Sequence, residues 1–182
     1  MPRTSAVDRV QEVYATSYRR LVGQLTGVTG DPVEAEDAVM EAFARAVNSS
    51  RSFLAADNPE AWLRTVAVNV TRTRWRRNRF FRDVSHRHLA AEAYDDLPDD
   101  RLALLAALRQ LPAAQREAIA LHHLADLPVQ EVADTVGAPV GTVKARLARG
   151  RAALAVLLAE PAPTDPTDAG TETETETERT VR

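Results

Sequence analysis

The sequence contains no cysteine. Disulfides, thiolate-bound zinc, iron–sulfur clusters and a thiol nucleophile are thereby excluded, and the chain cannot itself sense redox state through a thiol. Glycine is sparse, 7 in 182 residues, and few stretches show the apolar–polar alternation of strands. The expected fold class is all-α. No stretch approaches the roughly 18 apolar residues of a membrane span. Met1 to Arg20 carries scattered charge and no apolar core, so a secretory signal is not expected either. A cytoplasmic protein without membrane contact is the expectation. Lysine occurs once, at Lys144, so nearly all of the 23 basic side chains are arginine.

The net charge of −3 conceals a strong unevenness. Six arginines fall between Arg72 and Arg82 with no acid among them. Two acidic stretches lie apart from this band: Asp31, Glu34, Glu36, Asp37 and Glu41, then Glu92, Asp95, Asp96, Asp99 and Asp100. The tail from Glu160 holds seven acids and two arginines. Residues 1–159 are therefore slightly positive, and a basic band on a near-neutral body points to a polyanion partner.

Apolar residues at helical spacing divide the chain. Val10, Tyr14, Ser17, Tyr18, Leu21 and Leu25 predict a first helix ending near Gly27 to Gly30. Asp31-Pro32 restarts the chain, with Asp31 as cap, Pro32 in the first turn and Glu34 completing a box-like start. Ala35, Val39, Ala42, Phe43 and Ala46 line one face of the second helix. Asn48 to Asn58 reads as a loop. Asn58-Pro59 then opens a long helix with Trp62, Val66, Val70 and Thr73 facing inward. The acidic segment 89–100, holding Pro98, reads as a flexible linker between two small helical domains, 1–88 and 101–159. Leu102, Leu105 and Leu108 predict a short helix closed by Pro112, and another follows to about Leu124. Residues 160–182, with Thr-Glu repeated from Thr171 to Glu178, are expected to be disordered.

Residues 128–158 carry the sharpest pattern. Val129, Val132, Ala133 and Val136 form one face of a short helix, and Gly137 sits where a left-handed stop is needed. After Pro139, Val143, Leu147, Gly150, Leu154 and Leu158 line one side of a second helix. This is the plan of a helix-turn-helix. The other side carries Thr142, Lys144, Ala145, Ala148 and Arg149, with Arg146 and Arg151 flanking. Lys and Arg contact guanine edges or phosphates, and small residues let a helix seat in the major groove. A plain helical hairpin with a solvated cationic face is the alternative. In the arginine band, Trp75, Phe80 and Phe81 are interleaved, the combination that single-strand binding uses; a basic surface helix with core aromatics explains it equally well. His122-His123 lack the spacing of metal ligands, and no Ser–His–Asp set or glycine-rich phosphate loop is present. No catalytic residue, metal site or cofactor is expected.

Two separated stretches resemble one family. Leu127 to Ala133, with Pro139-Val140-Gly141-Thr142-Val143-Lys144-Ala145-Arg146-Leu147 and Arg149-Gly150-Arg151, resembles region 4 of extracytoplasmic-function sigma factors. Glu34-Ala35-Glu36-Asp37-Ala38-Val39-Met40-Glu41-Ala42-Phe43, followed by Asn58 to Leu63 and Val68-Asn69, resembles region 2 of the same family. The resemblance spans about residues 10–158. It implies a dissociable subunit of core RNA polymerase that selects promoter DNA, a monomer with an anti-sigma factor as a further partner. Domain 1–88 would then be region 2, docking on the polymerase clamp through Glu36, Asp37, Met40 and Glu41. It would capture the melted −10 strand with Asn69, Arg72, Trp75, Arg76 and Arg77, and the Asn48–Asn58 segment would hold a flipped base. Domain 101–159 would be region 4, binding the polymerase flap and reading the −35 duplex with Thr142, Lys144, Ala145, Arg146, Ala148 and Arg149. Met40 stands where the family usually has Gln, Thr73 where Asp is common, Ala145 where Ser is frequent and Gly150 where Ala is frequent.

A stand-alone helix-turn-helix regulator and a sigma-like interaction protein that does not bind DNA are the competing readings. The acidic helix followed by an arginine–aromatic band separates the first of these from a sigma factor, because a regulator has no need of it.

Overall fold

A computed structural model describes residues 6–78 and 99–159, and all regular structure among them is helical. The elements are α1 (Ala6–Thr29), α2 (Pro32–Asn48), α3 (Ser50–Leu54), α4 (Pro59–Asn78), α5 (Asp99–Gln110), α6 (Ala113–Ile119), α7 (Val129–Val136) and α8 (Val140–Leu158). Most of the expected linker, the residues Arg79 to Arg82 and the acidic tail lie outside the described residues.

The first half is built on α1, α2 and α4, packed around Leu21, Leu25, Val39, Phe43, Leu63 and Val68. Burying one leucine side chain in full contributes roughly 1.5–3 kcal/mol. α1 stops as the glycine pattern predicts: Gly30 has φ 76°, and its N–H bonds back to Thr26 O at 2.8 Å. Asp31 caps α2 through Oδ1, accepting from Val33 N at 2.8 Å and Glu34 N at 3.2 Å. The reciprocal half of the expected capping box is not made. Thr29 Oγ1 takes the Asp31 N–H instead, and Glu34 turns to Trp75. Asn58 caps α4 as expected, its Oδ1 accepting from Ala61 N at 3.0 Å.

Two expectations need correction. The Asn48–Asn58 segment is not wholly loop, because α3 forms within it and buries Phe53 edge-on against Trp62, ring centroids 5.5 Å apart. On α4, Thr73 is exposed, and Leu63, Ala67, Val68, Val70 and Thr71 form the inward side. Thr73 Oγ1 bonds Asn69 O on its own helix, so its polar group needs no buried partner.

The second half packs α5, α6 and α7 on α8. α6 runs into a π-helical turn, Ala120–Leu124, with Ala125 N bonded to Ala120 O at 3.0 Å, and Asp126 then takes a left-handed φ of 52°. The turn presents His122 Nδ1 to Leu127 O at 2.7 Å. On α8, Val143, Leu147 and Gly150 are buried, whereas Leu158 is exposed, since the helix outruns its partners. At Gly150 the helices approach so closely that a Cβ would lie 2.8 Å from Ile119 Cγ1.

The two halves are in contact. Buried side chains from both belong to one continuous cluster, with α1 against α5, α6 and the π turn, and α4 against α7. No described helix is long and apolar enough to cross a membrane.

A polar knot fastens α4 to α1. Glu60 pairs with Arg20 and with Arg64 (3.1 Å) and accepts from Ser17 Oγ at 3.0 Å, while Arg64 Nε donates to Gln24 Oε1 at 3.0 Å. Burial pushes the Glu60 carboxyl up, but the hydrogen bonds from Arg20 and Ser17 and the charges of Arg20 and Arg64 outweigh it and hold it below the ordinary glutamate value. Ionised Glu60 therefore adds stability above about pH 4.3 that is lost as pH falls through its folded-state value. Glu60→Gln is expected to lower the urea midpoint at pH 7 and to flatten the loss of stability below about pH 4. Urea titrations across that range check this, and an acid limb as steep as the parent's would remove Glu60 from the account.

Candidate nucleic-acid interface

The helix-turn-helix forms as the sequence predicts. α7 ends at Gly137, φ 59° and ψ 45°, where Ala138 N bonds back to Ala133 O at 3.0 Å. Pro139 then leads into α8. Val132, Ala133 and Val136 of α7 are buried with Val143 and Leu147 of α8, which fixes the angle between the helices. Thr142, Lys144, Ala148 and Arg149 are exposed on α8, and Ala145 is half-buried beside them. Gly141 has open space where a side chain would be, so the backbone of the first turn can be approached closely.

Arg146 departs from this set. Positions 143, 146, 147 and 150 share one side of a helix, so Arg146 lies along the packed seam. It is half-buried, and its Nη1 is buried without a hydrogen-bond partner among the described residues. Its charge acts on Glu117 of α6. The spacing alone would have placed it there, because it follows Val143 by three and precedes Gly150 by four.

The arginine band likewise divides over two sides of α4. Asn69, Thr73, Arg76 and Arg77 are exposed along one strip. Arg72 and Trp75 follow Val68 by four and seven, so they turn with that buried valine toward the second half. Arg72 spans two elements there. Its Nη1 donates to Val136 O at 2.6 Å, its Nη2 to Glu117 Oε2 at 2.8 Å, and its Nε stands 2.7 Å from Glu117 Oε1. Burial pushes the Glu117 carboxyl up; the hydrogen bond and charge of Arg72 and the charges of Arg146 and Arg116 only partly oppose this. Trp75 Nε1 donates to Glu34 Oε1 at 2.7 Å, and the Arg116 guanidinium lies 5.1 Å from its ring centroid. Arg72 and Arg76, although four residues apart on α4, thus divide: Arg72 is turned inward and Arg76 faces solvent.

Arg74 serves neither side. It pairs with Glu41 at 2.9 Å and stands 3.8 Å from Asp37, where it offsets the acidic strip of α2. That strip comprises exposed Glu36, Asp37 and Met40 and half-buried Glu41. Glu36 accepts from Tyr18 OH at 2.6 Å, and Glu41 is also held by Arg45. Burial raises the Glu41 carboxyl, and the hydrogen bonds and charges of Arg45 and Arg74 bring it below its ordinary value.

Three residues of the second half were not singled out from sequence: Arg109, Arg116 and Glu117. Arg116 Nε donates to Val28 O at 2.9 Å, and Arg109 donates to Gly30 O. Their signal was present, since Arg116 and Glu117 sit directly before the apolar run Ala118 to Leu121. Charges abutting an apolar run need a partner when the segment is buried. The rings of His122 and His123 lie 4.6 Å apart, and no metal-binding cluster exists among the described residues.

Comparison with known proteins supplies the family. Residues 13–81 match sigma-70 region 2, and residues 101–154 match sigma-70 region 4. RNA polymerase sigma-E factor of Streptomyces coelicolor is 34% identical over 147 residues, covering 79% of this chain and 78% of its own. ECF RNA polymerase sigma factor SigC of Mycobacterium tuberculosis is 30% identical over 166 residues, 86% of each. Among solved structures, the sigma factor RpoE of Bartonella quintana, in complex with the anti-sigma factor NepR, aligns at TM-score 0.70 and 29% identity. The alignment covers 83% of this chain and 96% of that one. CnrH in complex with the cytosolic domain of CnrY aligns at TM-score 0.58 and 25% identity, covering 82% and 86%. With both regions present in order and relatives matched over most of their length, the chain belongs to the extracytoplasmic-function group of sigma-70-type RNA polymerase sigma factors.

Proposed function

We propose that the chain brings core RNA polymerase to two-element promoters, reading the −35 duplex with α8 and holding the melted −10 strand with the exposed strip of α4. The observation that carries this reading is the exposed row Thr142, Lys144, Ala148 and Arg149 on a helix whose opposite side is locked to α7. A helix held rigidly along one side and bearing small and cationic residues on the other suits the major groove. Thr142, in the first turn, suits a phosphate contact, and Lys144 and Arg149 suit bases or phosphates.

On α4, Asn69, Arg76 and Arg77 are available to a strand, and exposed Arg51, Ser52 and Leu54 around α3 supply a surface for an unstacked base. Melting on this scheme needs no catalytic group. Capture of the flipped base offsets an unpairing cost of a few kcal/mol, so the protein acts as a non-enzymatic initiation factor, working in the cytoplasm. For polymerase, the acidic strip with Asp37 and Met40 offers a clamp contact. An apolar groove of about 390 Å³, lined by Leu104, Leu108, Ile119, Leu124, Leu154 and Leu158, suits a flap helix. The likeness to a sigma factor solved in complex with an anti-sigma factor supports an anti-sigma partner here as well. Domain limits of 1–88, 89–100, 101–159 and 160–182 belong to the same proposal.

Two outcomes are expected. Lys144→Ala and Arg149→Ala each either cost about 1–3 kcal/mol at one base pair of the −35 element, or reduce the salt slope of promoter binding by about one unit. Binding of holoenzyme to −35 variants across salt checks this, and unaltered binding by both would remove α8 from the groove. Arg76→Ala is expected to slow open-complex formation while leaving closed-duplex binding near the parental level. Equal losses in the two assays would contradict strand capture by α4.

A further inference from the structure

Helix α8 carries four cations, Lys144, Arg146, Arg149 and Arg151, and no acid along its 19 residues. On α4, by contrast, Arg74 meets Glu41 and Asp37, and Arg72 meets Glu117. No ion pair reaches exposed Lys144, Arg149 or Arg151 among the described residues. The sequence that follows α8 has the opposite character. Residues 160–182 hold seven acids against two arginines, and from Thr171 to Glu178 every second residue is glutamate. Val181 is the one large apolar residue among them, so charge is the chemistry this segment has to offer.

We infer that residues 160–182 act as a tethered polyanion that competes with DNA phosphates for the exposed cations of α8, and that this competition suppresses binding to non-promoter duplex. The inference rests on the reading of α8 as the −35 contact. Reach permits it. Arg151, Arg149 and Lys144 precede Leu158 by seven, nine and fourteen residues, which is about 10, 14 and 21 Å along a helix axis. Glu172, the first glutamate of the repeat, follows Leu158 by fourteen residues, a chain length that can extend to about 46 Å. Half of that extension still covers the whole row. Attachment to the same molecule gives the acids an effective concentration in the millimolar range, whereas non-specific duplex binds with dissociation constants of roughly 10⁻⁴–10⁻⁶ M. The competition falls unevenly on different DNA. Binding to arbitrary duplex is nearly all phosphate electrostatics, so having to displace the acids removes much of its driving force. A matched −35 element adds base-edge contacts that carboxylates do not contest. The ratio of specific to non-specific affinity therefore rises.

The test changes charge and leaves chain length alone. Glu172→Gln, Glu174→Gln, Glu176→Gln and Glu178→Gln are combined in the full chain, which removes four of the seven acids. Binding of this variant and of the parent to a mixed-sequence duplex is measured at about 50 mM and about 200 mM salt. The neutralised variant is expected to bind at least about threefold more tightly at the lower salt, with a narrower gap at the higher, because salt screens the acids from α8. Equal affinities at the lower salt overturn the inference. The same neutralisation is then made in the Lys144→Ala/Arg149→Ala chain, where the gain is expected to fall below about half its size in the parent. A gain of undiminished size places the acids on other cations, such as Arg76 and Arg77, and overturns the assignment to α8. Failure of the α8 reading itself is told apart by the holoenzyme: Lys144→Ala and Arg149→Ala then leave binding to the −35 element unaltered whether or not the four glutamates are present.

Discussion

The structure depends on arginines that cap the ends of helices in the opposite half. A helix leaves its last carbonyls without intrahelical partners, and burying such an end requires a donor from elsewhere. α1 cannot satisfy Val28 O within itself, because the residue four ahead is Pro32, which has no N–H. Arg116 supplies the donor, Arg109 serves Gly30, and Arg72 does the same for Val136 at the end of α7. A guanidinium offers several donors and stays charged at any ordinary pH, so it can join a carbonyl and a carboxylate at once. Arg72 does this between Val136 and Glu117. The contacts run in both directions, so neither half can move off without exposing carbonyls or stranding a carboxylate.

That constraint decides which charged residues are left for nucleic acid. Of the cationic groups in the α4 band, Arg72 is committed to the second half and Arg74 to the acids of α2, which leaves Arg76 and Arg77 facing solvent within the described part. On α8, Arg146 turns into the seam while Lys144, Arg149 and Arg151 remain outside. The cationic surface is smaller than the composition suggests, and it is distributed over two elements, one in each half.

Much of this was legible in the sequence. Asp31-Pro32, Asn58-Pro59 and Gly137 mark their helix ends by local chemistry, which side-chain caps and left-handed turns express without help from distant residues. The apolar faces of α2 and α7 followed from helical periodicity for the same reason. What could not be read was decided at long range. The diversion of Glu34 to Trp75 and the pairing of Arg72 with Glu117 join residues 41 and 45 positions apart. The π turn at Ala120–Leu124 has no composition of its own. Arg146 is the instructive case, because its position between Val143 and Gly150 identified its side of the helix, yet its charge invited assignment to the groove.

The most direct measurement of the central claim is transcription by purified protein with core RNA polymerase on a library of DNA fragments, read by sequencing the transcripts. The account predicts starts at a fixed distance below a shared motif in two parts, one for α8 and one for α4. Transcripts without a shared motif, or none above the level of core polymerase alone, would contradict it.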